Sequence, residues 1–286
     1  MDNRVDRVSA RGFLRENNPA AGRNGRDLMD KRKVIYYRDE LNDEFSTAQI
    51  TPRTIDESYV YINDSVFKKF THIFWYRIVA TPIAWLYVKL VFHQKTVGRK
   101  AFKECKKKGY FMYGNHTQVV GDPFIPNIIN FPKNDYIIVH PNNVSMPVLG
   151  KVTPSLGALP LPDDKGAYKN FLAAIDTHIE RKHTVVVYPE AHIWPYYTKI
   201  RPFPDTSFTY PAKLLAPVYC FTNTYHKRRH GKEPKIITYV DGPFFPDPEK
   251  PIKARRRELR DRVYEAMCKR AECSDHEQIR YIKVED

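Results

Sequence analysis

Thr184-Val185-Val186-Val187-Tyr188-Pro189-Glu190-Ala191-His192 is the stretch on which the fold turns. Its first five residues are continuous and largely β-branched, without polar alternation. A strand covered on both faces of a parallel sheet has this pattern. Polar residues then arrive at the strand's C-terminal end, where open α/β sheets build their sites. The same grammar occurs upstream. Tyr110–Tyr113 reads as a short apolar strand running into Gly114-Asn115-His116-Thr117-Gln118-Val119-Val120-Gly121-Asp122-Pro123-Phe124.

Working outward, Tyr136–Val139, Leu214–Phe221 and Lys235–Val240 read as further strands. Tyr168–Arg181 reads as a helix with Leu172, Ala173, Ile175 and Ile179 on one side, and residues 253–270 as a basic amphipathic helix. Together they predict an α/β fold: a mixed, largely parallel central sheet flanked by helices.

Residues 71–93, THIFWYRIVATPIAWLYVKLVFH, form an apolar stretch whose uncharged centre, Ile78–Val88, lies between Arg77 and Lys89. A spanning helix needs about 20 mostly apolar residues. The centre is shorter than that and contains Pro82, so an interfacial or re-entrant helix is expected. Its aromatic residues would sit at headgroup level and its cations would snorkel. A buried helix of a soluble protein is the alternative. The cation-rich run Lys95–Lys108 beside it suits anionic lipid headgroups or simply a solvated face. Three segments are expected: a polar, partly disordered arm over 1–70 with a strand-like run at Val34–Tyr37, the membrane-contacting helix over 71–93, and the α/β domain over 94–286.

The 286 residues carry a net charge of +14, with 42% hydrophobic and 13% aromatic side chains. That composition allows one large domain and favours anionic partners. The basic residues do not interleave with aromatics in any nucleic-acid module, so no nucleic-acid partner is expected. Cys105, Cys220, Cys268 and Cys273 form no CxxC pair and fit no metal spacing; they read as thiols of a reducing compartment, with a Cys268–Cys273 disulfide left open. No apolar run follows the basic N-terminal residues, so no secretory signal is expected.

His116 and Asp122 suggest acid–base chemistry. A neutral imidazole can take a proton from an attacking alcohol, while a carboxylate on its other nitrogen fixes the tautomer. Glu190 and His192 follow the second strand, and Lys199 and Arg201 are cations suited to a phosphate.

The order of these blocks resembles the glycerol-phosphate and lysophospholipid acyltransferase family, over roughly residues 71–245. Asn115-His116…Asp122-Pro123-Phe124 is similar to its Asn-His-x4-Asp block, and Gly157-Ala158-Leu159-Pro160-Leu161 stands where a Gly-x-Ile-x-x-x-Arg-like block belongs. Tyr188-Pro189-Glu190 is similar to the Phe-Pro-Glu-Gly-Thr-Arg block, and Ala216-Pro217-Val218 to the Val-Pro-Val strand. The departures are specific. The His-to-Asp gap holds five residues, which on an ideal helix turns Asp122 by about 100°. Gly121 is expected to bend that turn. The second block lacks its arginine, and Ala191-His192 replaces Gly-Thr.

The resemblance implies acyl transfer in phospholipid biosynthesis, from acyl-CoA or acyl carrier protein to a glycerol-phosphate or lysophospholipid hydroxyl. His116 and Asp122 would be catalytic, and Asn115, Glu190, His192, Lys199 and Arg201 substrate-binding. It implies no metal, no cofactor beyond the thioester co-substrate, and partners among anionic lipids of a membrane surface. The place implied is the cytoplasmic face of the cell inner membrane, held peripherally or monotopically. The wide gap also leaves open a catalytically impaired lipid-binding protein on the same fold.

Overall fold

In a computed structural model the described residues are 32–45, 51–147 and 149–284, essentially within the unit Val34–Asp286. Most of the arm expected at residues 1–70 therefore lies outside the described residues at 1–31 and 46–50.

In chain order the regular elements are β1 (Lys33–Tyr37), α1 (Val66–His72), a π-helical stretch (Ile73–Ala80), α2 (Thr81–Val91), β2 (Lys95–Val97) and β3 (Tyr110–Gly114). Next come α3 (Ile125–Asn130), β4 (Asp135–Val139), α4 (Leu149–Val152), β5 (Ala158–Pro160), α5 (Lys165–Glu180) and β6 (Thr184–Val187). The chain continues through α6 (Thr209–Leu214), β7 (Val218–His226), β8 (Lys235–Phe244), α7 (Ile252–Ala271) and β9 (Ile279–Lys283). Seven strands form one sheet in the order β2-β8-β7-β3-β6-β4-β5. β7, β3, β6, β4 and β5 are parallel, while β8 pairs antiparallel with β7, and β2 runs parallel with β8. The sheet is mixed and largely parallel.

β3 and β6 are central, and every residue of both is buried. One face packs Phe111, Phe171, Ile175, Val185 and Val187 against α5 and α7; the other packs Met112, Val186, Phe221 and Ile129 against α2 and α3. Such double coverage is why these strands show no alternation. Gly114, at the end of β3, has no room for a side chain: a Cβ there would lie 2.2 Å from the Phe221 ring.

Two boundaries differ from expectation. The strand expected over Leu214–Phe221 starts only at Val218, because α6 ends at Leu214 and Leu215 turns left-handed at φ 50°. The described part of the 1–70 arm is packed onto the domain. β1 pairs with β9, Ile55 is buried with its amide 2.7 Å from the Asp163 carboxylate, and Trp194 Nε1 donates to the Asp43 carbonyl at 2.7 Å.

The apolar stretch is helical from Val66 to Val91. Pro82 has no N–H to give, and the π-helical stretch ahead of it widens the turn; the Thr81 amide and hydroxyl both donate to Tyr76 O, the hydroxyl at 2.7 Å. Tyr76, Ala84 and Val88 face the protein, whereas Phe70, Ile78, Ile83, Trp85, Leu86 and Leu90 are exposed. Arg77 and Lys89 do not snorkel outward as expected. Arg77 donates to Pro132 O, and Lys89 donates to the Gln94 carbonyl and side chain at 2.6 and 2.9 Å. Both are drawn into the protein because carbonyls left over at element ends lie within their reach. Among the described residues no helix is long and apolar enough to cross a membrane. All four cysteines are free.

Candidate active site

The C-terminal ends of β3 and β6 bring the two polar blocks together. The His116 amide donates to Glu190 Oε2 at 3.0 Å, so the loop after β6 holds the backbone of the loop after β3. His116 Nδ1 lies 2.8 Å from Asp122 Oδ2, which also accepts the Gln118 amide at 3.0 Å. The extra residue is absorbed by a turn in which the Asp122 amide donates to Gln118 O at 3.0 Å. Gly121 does not bend it through a positive φ. Room is what is short: a Cβ there would meet Gln118 Cβ at 3.0 Å. Val119 and Val120 are pushed out beside the site, 55% and 47% exposed.

Asp122 is buried, and desolvation raises its pKa, while the His116 hydrogen bond and charge and neighbouring amides pull it down. Its Oδ1 has no hydrogen-bond partner among the described residues. The His116 side chain is 18% exposed, and its Nε2 makes no hydrogen bond to the described residues. With Nδ1–H donated to a carboxylate, that nitrogen carries the free lone pair. This is the arrangement a general base requires.

The remaining residues singled out in the sequence do other things in the structure. Asn115 is a brace: its amide nitrogen donates to Asn223 O at 3.0 Å and its oxygen accepts Asn223 N at 2.8 Å, clamping β3 to β7. Glu190 is fully buried. Its oxygens accept the His116 and Arg201 amides, at 3.0 and 2.9 Å, and Arg201 Nη2 at 3.4 Å. Desolvation raises its pKa, with Arg201 opposing.

Arg201 requires a correction. It is not an exposed phosphate clamp; its side chain is 0% exposed. The guanidinium donates to the His192 and Glu40 carbonyls and lies 4.9 Å from the Trp194 ring centroid. A buried carboxylate must be paired, and Arg201 is the partner that Glu190 has. Lys199 is exposed and has no partner among the described residues, and His192 is half-exposed, 3.4 Å from the Glu44 carboxylate. These two remain reachable from solvent.

Ala191 stands where the acyltransferase pattern has glycine, yet it keeps a left-handed φ of 63°, and the His192 amide closes a tight turn on Glu190 O at 2.7 Å. An L-residue there costs about 1 kcal/mol. Sequence reasoning gave no role to Tyr188. Its ring stacks on the His116 imidazole, centroids 4.6 Å apart, and its hydroxyl donates to Asp122 O at 2.6 Å. The available signal was its place at the end of a buried strand, where the pattern carries phenylalanine.

No protein-family model and no curated protein sequence matches the chain. Among solved structures, it is similar to the 1-acyl-sn-glycerophosphate (LPA) acyltransferase PlsC from Thermotoga maritima. The TM-score is 0.52 and the identity 17%, over 72% of this chain and 86% of that one. The two share a fold. An α/β fold of this kind was expected from the strand and helix pattern together with the motif order.

Proposed function

We propose that the chain is an acyltransferase that moves a fatty acyl group from a thioester to a hydroxyl of a glycerol-phosphate-type or lysophospholipid acceptor. The observation that carries this reading is the His116–Asp122 pair, with Nδ1 held at 2.8 Å and Nε2 left free at a sheet end. The fold likeness to an LPA acyltransferase supports the substrate class.

In the proposed step, His116 Nε2 takes the acceptor's hydroxyl proton as that oxygen attacks the thioester carbonyl carbon. Asp122 stabilises the imidazolium. Collapse of the tetrahedral intermediate breaks the C–S bond, and the imidazolium returns its proton to the departing thiolate. No acyl-enzyme forms. Acyl-CoA or acyl carrier protein would donate. Lys199 and His192 are the reachable polar groups for the acceptor's headgroup.

We further read the exposed apolar ridge from Val66 to Leu90 as the face that meets an acidic membrane, at the cytoplasmic face of an inner membrane, without spanning it. Ile78 and Leu90 are 63% and 65% exposed, and α2 packs on α3 directly behind the site, with Tyr87 against Phe124. Exposed apolar area of this kind marks an interaction surface. The cation-rich run extends that surface only in part. Lys106, Lys107 and Lys108 precede β3 and so lie at the sheet end opposite His116.

The test is release of free thiol from acyl-CoA and acyl carrier protein against a panel of glycerol phosphate and lysophospholipids. Acceptor-dependent release supports the reading. Lipid binding without turnover on any pair would favour the impaired lipid-binding alternative, which the five-residue gap motivates.

A further inference from the structure

Two departures from the acyltransferase motif pattern meet in space. One is the extra residue between His116 and Asp122; the other is tyrosine at 188, where the pattern has phenylalanine. On a regular turn, one additional residue would swing Asp122 by about 100° and carry its carboxylate away from the imidazole. The structure nonetheless holds Nδ1 and Oδ2 at 2.8 Å.

Tyr188 touches both members of the pair. Its ring lies against the His116 ring at an interplanar angle of 21°, and its hydroxyl donates to the backbone carbonyl of Asp122. The tyrosine itself is well anchored. It follows directly on β6, and its ring meets the edge of Phe221 at 5.9 Å and 84°. Burial, then the nearby Asp122 charge, push the phenol pKa well above 10.0, so the hydroxyl stays a donor. A phenylalanine would keep the stack and lose the tether.

We propose that Tyr188 is a positioning residue whose hydroxyl offsets the additional residue in the turn after His116, fixing the Asp122 backbone so that its carboxylate meets the imidazole. The inference rests on the general-base reading of His116. Its direct physical content, the orientation of the His116–Asp122 pair, can be measured without turnover.

The experiment compares the full chain with Tyr188→Phe, each with and without deletion of Val120, which restores a four-residue gap. The His116 ring is followed by proton–nitrogen NMR, and kcat and KM are measured alongside. In Tyr188→Phe the downfield Nδ1–H resonance of His116 weakens or vanishes, and kcat falls about tenfold, the loss expected of one hydrogen bond, while KM stays within about twofold. In the Val120-deleted chain the same substitution changes kcat less than about twofold, because the tether has nothing left to offset.

An unchanged Nδ1–H resonance with unchanged kcat in Tyr188→Phe overturns the proposal. So does a loss confined to melting temperature and KM, which would make Tyr188 a packing residue. Undiminished turnover in His116→Ala would instead overturn the general-base reading, and the resonance would still report on Tyr188.

Discussion

Both ends of the sheet are lined with buried polar groups, but they are built to opposite ends. At the C-terminal edge, His116 pairs with Asp122 and Glu190 with Arg201, and the second imidazole nitrogen is left without a hydrogen bond to the described residues. At the N-terminal edge, Asp135 begins β4 and accepts from Asn130, which also donates to Thr184 at 2.8 Å and accepts from Tyr110. The Asp135 amide donates to Tyr76 Oη at 2.8 Å, which ties this network to the apolar helix. Beside it, Tyr136 lies between His72 and His178, whose ring centroids are 5.9 and 3.6 Å away.

Perturbation of pKa is strong at the N-terminal end as well, although no base is singled out there for solvent. Burial pushes Asp135 up to about 7, and pushes His178 and His183 down to about 3 and 4. A perturbed pKa in a cleft suggests a site. Here the perturbed Asp135 and His178 are buried, whereas the His116 ring keeps some exposure, and that availability to solvent is what separates the two ends.

Substitution of the two aspartates should separate the ends most sharply. Asp122→Asn should lower kcat by about 10³-fold, since the imidazole loses the carboxylate that sets its tautomer. Asp135→Asn should leave kcat untouched and raise stability at pH 8 by on the order of 2 kcal/mol, because a buried charge is removed. Steady-state kinetics and melting curves of both variants check this, and a kinetic defect in Asp135→Asn would erase the distinction.

Arg201→Ala comes next. It leaves Glu190 buried without its cation, so unfolding free energy should fall by about 3–5 kcal/mol. A phosphate clamp would instead raise the acceptor KM with little change in denaturant midpoint.

Acid should act through the opposite end. His178 and His183 have folded-state pKa values depressed from 6.5, so the unfolded chain binds protons that the folded chain refuses. Their contribution is complete above pH 6.5 and is lost as pH falls towards 4, at about 1.4 kcal/mol per pH unit per histidine. Asp135 works the other way, losing stability as pH rises from 3.8 towards 7. His178→Phe should flatten the acid limb, which urea titrations at pH 4 to 7 would show. The smallest effect is at the site's turn: Ala191→Gly should stabilise by up to about 1 kcal/mol with kcat unchanged, because the left-handed φ then costs nothing.

What the sequence made legible follows from locality. β3 and β6 announced themselves because burial on both faces demands unbroken apolar runs, and polar residues then had to gather where those runs end. The packing of residues 34–65 was hidden, since β1 pairs with β9 across most of the chain and Ile55 finds Asp163 over a hundred residues away. Lys199 and Arg201 looked alike as loop cations. Only the fold decides that one points to solvent and the other lies against Trp194 and Glu190. The flanking Ile200 and Phe203, both buried, were the available hint. The five-residue gap suggested a misplaced carboxylate, and helical geometry alone could not foresee the tether from Tyr188.

Acceptor-dependent thiol release by His116→Ala, measured beside its melting temperature, tests the general-base assignment most directly. We expect release to fall at least about 10³-fold in a protein that still folds cooperatively, with a melting temperature lower by several degrees because buried Asp122 loses its His116 partner. Turnover equal to the parent's in a folded His116→Ala protein would contradict the account.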